Sequence, residues 1–300
     1  MSAITIEKTA YAGWPNCYCL TNGKVELVVT TDVGPRIIRC GFVGGQNLFY
    51  ECKDHLGRTG EPWFMLRGGH RLWTAPERIP FTYALDNEPV EARLNDSGGI
   101  TVVQEGPLQK GMSITLSEDG RIEVLHTLKN NGKEPLDLAP WALTVMAQGG
   151  VGIMALPDRS PHYKEMLPTN PLVMWAYTDF SDERWTFTKK YMLLRQDPES
   201  VDAQKAGLFC ERSFSAFLLG TNLFAKWSQA DPAAKYTDFG CSLEVFTNPD
   251  FLELETLGPL VQLAPGESTE HTEHWSLAQG VHVNSLTDDE LDRVLLPLMK

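Results

Sequence analysis

Apolar and other side chains alternate along residues 25–30, with Val25, Leu27 and Val29 on one side and Glu26, Val28 and Thr30 on the other. A period of two residues is that of a pleated strand with one face against a core. The stretch opens after Asn22-Gly23, a dipeptide whose tolerance of positive φ favours a tight hairpin turn. Ile122, Val124, His126 and Leu128 repeat the pattern, and Asn130-Asn131-Gly132-Lys133 leads into an apolar stretch from Leu136 to Met146, which predicts a second hairpin. Short segments of this kind, parted by Gly, Asn, Asp and Pro, recur from end to end. They predict an all-β fold, one large antiparallel β-sandwich domain over residues 1–300. Residues 182–205 are more polar and hold Asp197-Pro198-Glu199-Ser200, so an exposed loop region is expected there. Near the end, Thr287 and Glu290 have capping-box spacing, and Leu291, Val294, Leu295 and Leu298 follow at helical spacing. This predicts a short C-terminal helix packed on the sandwich.

Charge narrows the choice of partner. The 300 residues carry 26 Lys and Arg against 39 Asp and Glu, a net charge of -13, with no basic stretch. That balance speaks against nucleic acid or an anionic membrane and suits a neutral or cationic small molecule. The first eight residues lack a signal-peptide pattern and no run reaches about 18 apolar residues, so a soluble cytoplasmic protein is expected. Six cysteines, none in Cys-x-x-Cys spacing, read as free thiols. The sequence has no His-Glu-x-x-His, Gly-rich phosphate loop or Gly-x-Ser-x-Gly elbow, so neither a metal nor a cofactor is expected.

Candidate chemistry is densest in residues 67–78, Arg-Gly-Gly-His-Arg-Leu-Trp-Thr-Ala-Pro-Glu-Arg. Two glycines allow close approach of the backbone, Arg67 and Arg71 offer planar donor forks, and Trp73 offers a flat apolar face for a sugar ring. In residues 251–259 strand alternation places Glu253 and Glu255 on one face, roughly 7 Å apart, as a general base and a hydroxyl acceptor or as two solvated carboxylates. His126, set among alternating apolar residues, reads as a core histidine. His271 and His274 fall on opposite faces of a strand, which argues against a shared metal.

These segments resemble the galactose mutarotase-like superfamily, in a bacterial branch. The likeness rests on Leu254-Glu255-Thr256, then Leu263-Ala264-Pro265-Gly266-Glu267, then residues 270–275, Glu-His-Thr-Glu-His-Trp. It extends to residues 22–42 and 126–138, and Arg67-Gly68-Gly69 resembles a segment that precedes the sugar pocket in the hexose-phosphate epimerase branch. The resemblance implies a sandwich of the same kind and makes Glu255 the match for the general base of aldose 1-epimerases. It also implies a histidine in the strand after the central hairpin. Residues 138–146 hold none, and Trp141 falls near that position.

The expected function is therefore carbohydrate binding, with aldose 1-epimerase-like acid/base isomerisation. Glu255 would be the base, His70 a relocated acid, and Arg67, Arg71, Trp73, Trp141 and Glu253 the substrate-binding set, all in one cleft. A binding protein without turnover is the alternative. A lyase or hydrolase acting on acidic saccharides through Arg67, Arg71 and Arg78 is a third reading. The protein is expected as a monomer or weak homodimer.

Overall fold

A computed structural model describes residues 3–95 and 98–299. Its strands form two antiparallel sheets of 11 and 10 strands, stacked face to face. The central strands of the larger sheet are, side by side, Arg36–Phe42, Gly69–Ala75, Leu136–Met146, Leu252–Leu257, Leu243–Thr247 and Gln204–Leu208. The smaller sheet runs from Trp185–Phe187 through Arg212–Leu219, Asn222–Gln229, Ser268–Ala278, Ile122–Asn130 and Leu108–Leu116 to Glu91–Asn95.

Alternation sets the layers. Leu27, Val29, Leu72, Val245 and Leu254 from the larger sheet meet Met112, Ile114, Val124, Phe224 and Trp275 from the smaller one in the main core. That match between period and burial is why the pattern was legible. The hairpin at Asn22-Gly23 forms as expected: Trp14–Thr21 pairs with Val25–Thr30, and the Asn22 carboxamide accepts from the amides of Lys24 and Val25.

Two expectations are corrected. Ile122–Asn130 and Leu136–Met146 do not form a hairpin, because the turn after Asn130 carries the chain from the smaller sheet into the larger. The Asn130 side chain fixes this corner through the carbonyls of Glu134 and Leu263. Residues 182–205 are not one exposed loop. They include the strands Trp185–Phe187 and Tyr191–Arg195, and Gln204 and Lys205 begin a buried central strand.

The terminal helix forms at Asp288–Leu295 and packs Leu291, Val294 and Leu295 on the outer face of the smaller sheet, against Ile153, Tyr191 and Phe214. Thr287 occupies the N-cap position without a side-chain hydrogen bond, and Asp288, Asp289 and Glu290 complement the helix dipole. The six cysteines are free. Among the described residues no helix is long and apolar enough to cross a membrane.

Gly68 and Gly69 lead the chain into the strand Gly69–Ala75. Both have positive φ, and a Cβ on Gly68 would lie 2.0 Å from the Tyr50 carbonyl oxygen. Gly68→Ala is expected to destabilise the fold by about 3 kcal/mol or more, read as a lower denaturation midpoint. A loss below about 1 kcal/mol would contradict this close approach.

Candidate functional site

Register brings the candidate residues into rows. Arg71 lies opposite Leu143, Leu143 opposite Glu255, and Glu255 opposite Glu244 on the next strand. One step along, Val145, Glu253, Phe246 and Lys205 form the neighbouring row, and in the other direction stand Trp73, Trp141 and Leu257. All of these side chains project from the outer face of the larger sheet, the face turned away from the smaller sheet.

The outer face has two charge groups. Arg71 Nη2 donates to Glu253 Oε1 at 2.9 Å, and its guanidinium lies 4.3 Å from the Trp73 ring centre. Trp73 packs in turn against Tyr83, Phe64 and Trp141. Beside this group, Lys205 Nζ bridges Glu244 at 2.8 Å and Glu255 at 2.9 Å, between the rings of Trp141 and Trp175. Trp141 Nε1 donates to Glu255 Oε2 at 2.8 Å. The indole therefore sits directly beside the glutamate and holds one of its oxygens.

Several buried polar atoms on this face have no partner among the described residues: Glu255 Oε1, Glu244 Oε1, and Arg71 Nε and Nη1. Unpaired buried polar atoms are costly, and a cluster of them beside aromatic rings marks a place for a polar ligand. One ammonium also shares two buried carboxylates. Burial, ahead of the opposing attraction of Lys205, pushes the Glu244 carboxyl up to about 8, which favours its protonated form. Lys205 stays charged, its pKa raised well above the ordinary value by Glu244 and Glu255 against the effect of burial.

His70 is not part of this face. It neighbours Arg71 in a strand, so it points the opposite way, into the layer between the sheets. There it joins a closed network whose proton positions follow from donor bookkeeping. Lys226 Nζ donates to Glu273, Thr144 and the Ala142 carbonyl. Thr144 therefore gives its own proton to His70 Nδ1, 2.9 Å away. His126 Nδ1 donates to the His271 carbonyl, so His126 Nε2 accepts from His70 Nε2 at 2.7 Å. His271 Nε2 donates to Thr256, whose hydroxyl donates to Glu273, and Trp275 Nε1 completes the carboxylate.

Burial lowers the pKa of all three imidazoles, taking His271 to about 3, and each ring is neutral. The ammonium of Lys226 holds Glu273 well below the usual carboxylate range against the effect of burial. His70, His126 and Glu273 are a donor set that a cation could use in principle. In this geometry, though, the ammonium of Lys226 holds the carboxylate and a hydrogen bond joins the two rings.

Arg67 also lies elsewhere. Its guanidinium is buried and bound to Glu61 and Asn87, with Asp86 near, in a cluster completed by Arg36. Of the residues expected in one cleft, the fold brings together Arg71, Trp73, Trp141, Glu253 and Glu255 and leaves out His70 and Arg67. Sequence reasoning missed Glu244 and Lys205. The alternation of Leu243, Val245 and Thr247 around Glu244 offered a faint signal, whereas Lys205 lay in a segment read as loop.

No protein-family model and no curated protein matches the chain by sequence. Solved structures do match by fold. A galactose mutarotase-like protein from Lactobacillus casei is 10% identical with a TM-score of 0.56, covering 88% of this chain and 100% of its own. The Slr1438 protein of Synechocystis is 13% identical with a TM-score of 0.56, covering 93% and 100%. A putative aldose 1-epimerase from Escherichia coli is 14% identical with a TM-score of 0.51, covering 92% and 100%.

Proposed function

From the galactose mutarotase-like fold of the chain, we propose that the outer face of the larger sheet binds an uncharged sugar and interconverts its anomers by acid/base catalysis. The observation that carries this reading is the set of unpartnered buried atoms, Glu255 Oε1, Glu244 Oε1 and two Arg71 nitrogens, on one aromatic-walled face.

Glu255 Oε1 takes the proton of the anomeric hydroxyl. The O1 electrons form the C1 carbonyl, the bond from C1 to the ring oxygen breaks, and the protonated Glu244 carboxyl gives its proton to that oxygen. Closure on the opposite face of the carbonyl reverses both transfers and yields the other anomer. Arg71 donates to sugar hydroxyls, Glu253 holds Arg71 in place, and Trp141 orients Glu255. Acidic saccharides fit less well, because Arg67 is committed to Glu61 and Asn87 and Arg78 to the Asp137 carbonyl.

Binding without turnover is the second reading, favoured by Trp141 standing where the resemblance implies a histidine, since an indole cannot exchange a proton at neutral pH. Calorimetry and NMR saturation transfer over a panel of neutral aldoses separate the two. Faster anomer exchange for at least one sugar is expected, declining as the pH rises through about 8, where Glu244 loses its proton. A bound sugar with no exchange would leave binding alone, and no bound sugar would sink both readings.

A further inference from the structure

At one end of the sandwich the two sheets part around a cleft of about 460 Å³. Leu136 and Leu138 line it from the larger sheet, Leu108 and Lys110 from the smaller, and Phe81 and Leu85 close its mouth. Phe81 and Leu85 are both substantially exposed there. The volume lies within the range of small-molecule sites. Lys110 projects inward from the strand Leu108–Leu116, on the same side as the core residue Met112.

Lys110 has no charge partner of its own among the described residues. Its side chain is only 4% exposed, and it makes no hydrogen bond or ion pair among the described residues. The one carboxylate acting on it is Asp86, which already holds Arg36 and Arg67. The remaining amides of the cleft are spent on the backbone: Gln104 donates to the Leu85 carbonyl and Asn130 to those of Glu134 and Leu263. The cleft therefore offers leucine and phenylalanine walls with Lys110 as its buried cation, while the exposed Arg78, Lys133, Glu105 and Glu134 bring two charges of each sign to its rim. We propose that it binds a small amphipathic monocarboxylate, with the apolar body between the sheets and the carboxylate on Lys110 Nζ. A single negative charge balances the site, whereas a sugar acid would lose the hydration of its hydroxyls against apolar walls. Burial that takes the ammonium down to about 8 is consistent with a cation lacking its counter-charge.

Calorimetry on the full chain at pH 7, with octanoate and with octanamide as probes, tests this. Saturable octanoate binding at least tenfold tighter than octanamide is expected. Lys110→Met should remove that advantage, and Lys110→Arg should retain most of it. Octanoate that does not bind at millimolar concentration, or that binds no better than octanamide, would overturn the proposal. So would an advantage that survives in a folded Lys110→Met protein. Should that variant fail to fold, the wild-type comparison of the two probes decides alone.

Discussion

Lys226→Met should destabilise the protein by about 3–5 kcal/mol at pH 7, the range for removing one partner of a buried ion pair. The substitution leaves the Glu273 carboxylate inside the core without its ammonium and takes a donor from Thr144 and from the Ala142 carbonyl. Pairing it with Glu273→Gln should recover part of the loss, since the uncompensated charge is then gone. The pH dependence follows from the sign of each shift. In the wild type Glu273 is depressed, so its stabilisation is present above the unfolded value near 4.5 and is lost as pH falls through the folded value. In Lys226→Met burial acts on Glu273 with its cation gone and raises its pKa, so that protein gains as pH falls, and the deficit between the two narrows in acid. Denaturant titrations at pH 7 and pH 4.5 measure this. A deficit under about 1 kcal/mol at pH 7, or one that widens in acid, would show that Glu273 is not held charged by Lys226.

Glu255→Gln is the decisive change on the outer face. The amide keeps the shape and can still accept from Trp141 and Lys205, but it cannot take a proton. Anomer exchange should fall by about 10²–10⁴-fold with sugar affinity little altered. Because Lys205 would then face Glu244 alone, the Glu244 carboxyl should ionise at lower pH, and residual exchange should lose its decline near pH 8. Exchange within about threefold of wild type would remove Glu255 from the base role.

The sequence carried the fold because alternation along strands such as Val25–Thr30 and Leu252–Leu257 is dictated by burial of one face, and that reads locally. It carried Glu253 and Glu255 for the same reason. What it could not carry was sheet membership. The turn after Asn130 has the same residues whether it closes a hairpin or turns a corner between sheets, and the outcome depends on distant partners at residues 261–275. His70 and Arg71 looked like one cluster because they are adjacent in sequence, although strand geometry sends adjacent side chains to opposite faces. Lys205 was hidden by polar neighbours, since its two carboxylate partners lie on strands about 40 and 50 residues further along.

The strand Gly69–Ala75 thus bears the outer-face arginine and the inner-layer histidine on consecutive residues, and the inner one is bolted to the second sheet through His126. For recognition this means that the floor of the outer face is already ordered before any ligand arrives. Selectivity there should come from displaced water and mismatched polar groups rather than from closure of the protein around its guest, and free and bound forms should differ little in backbone.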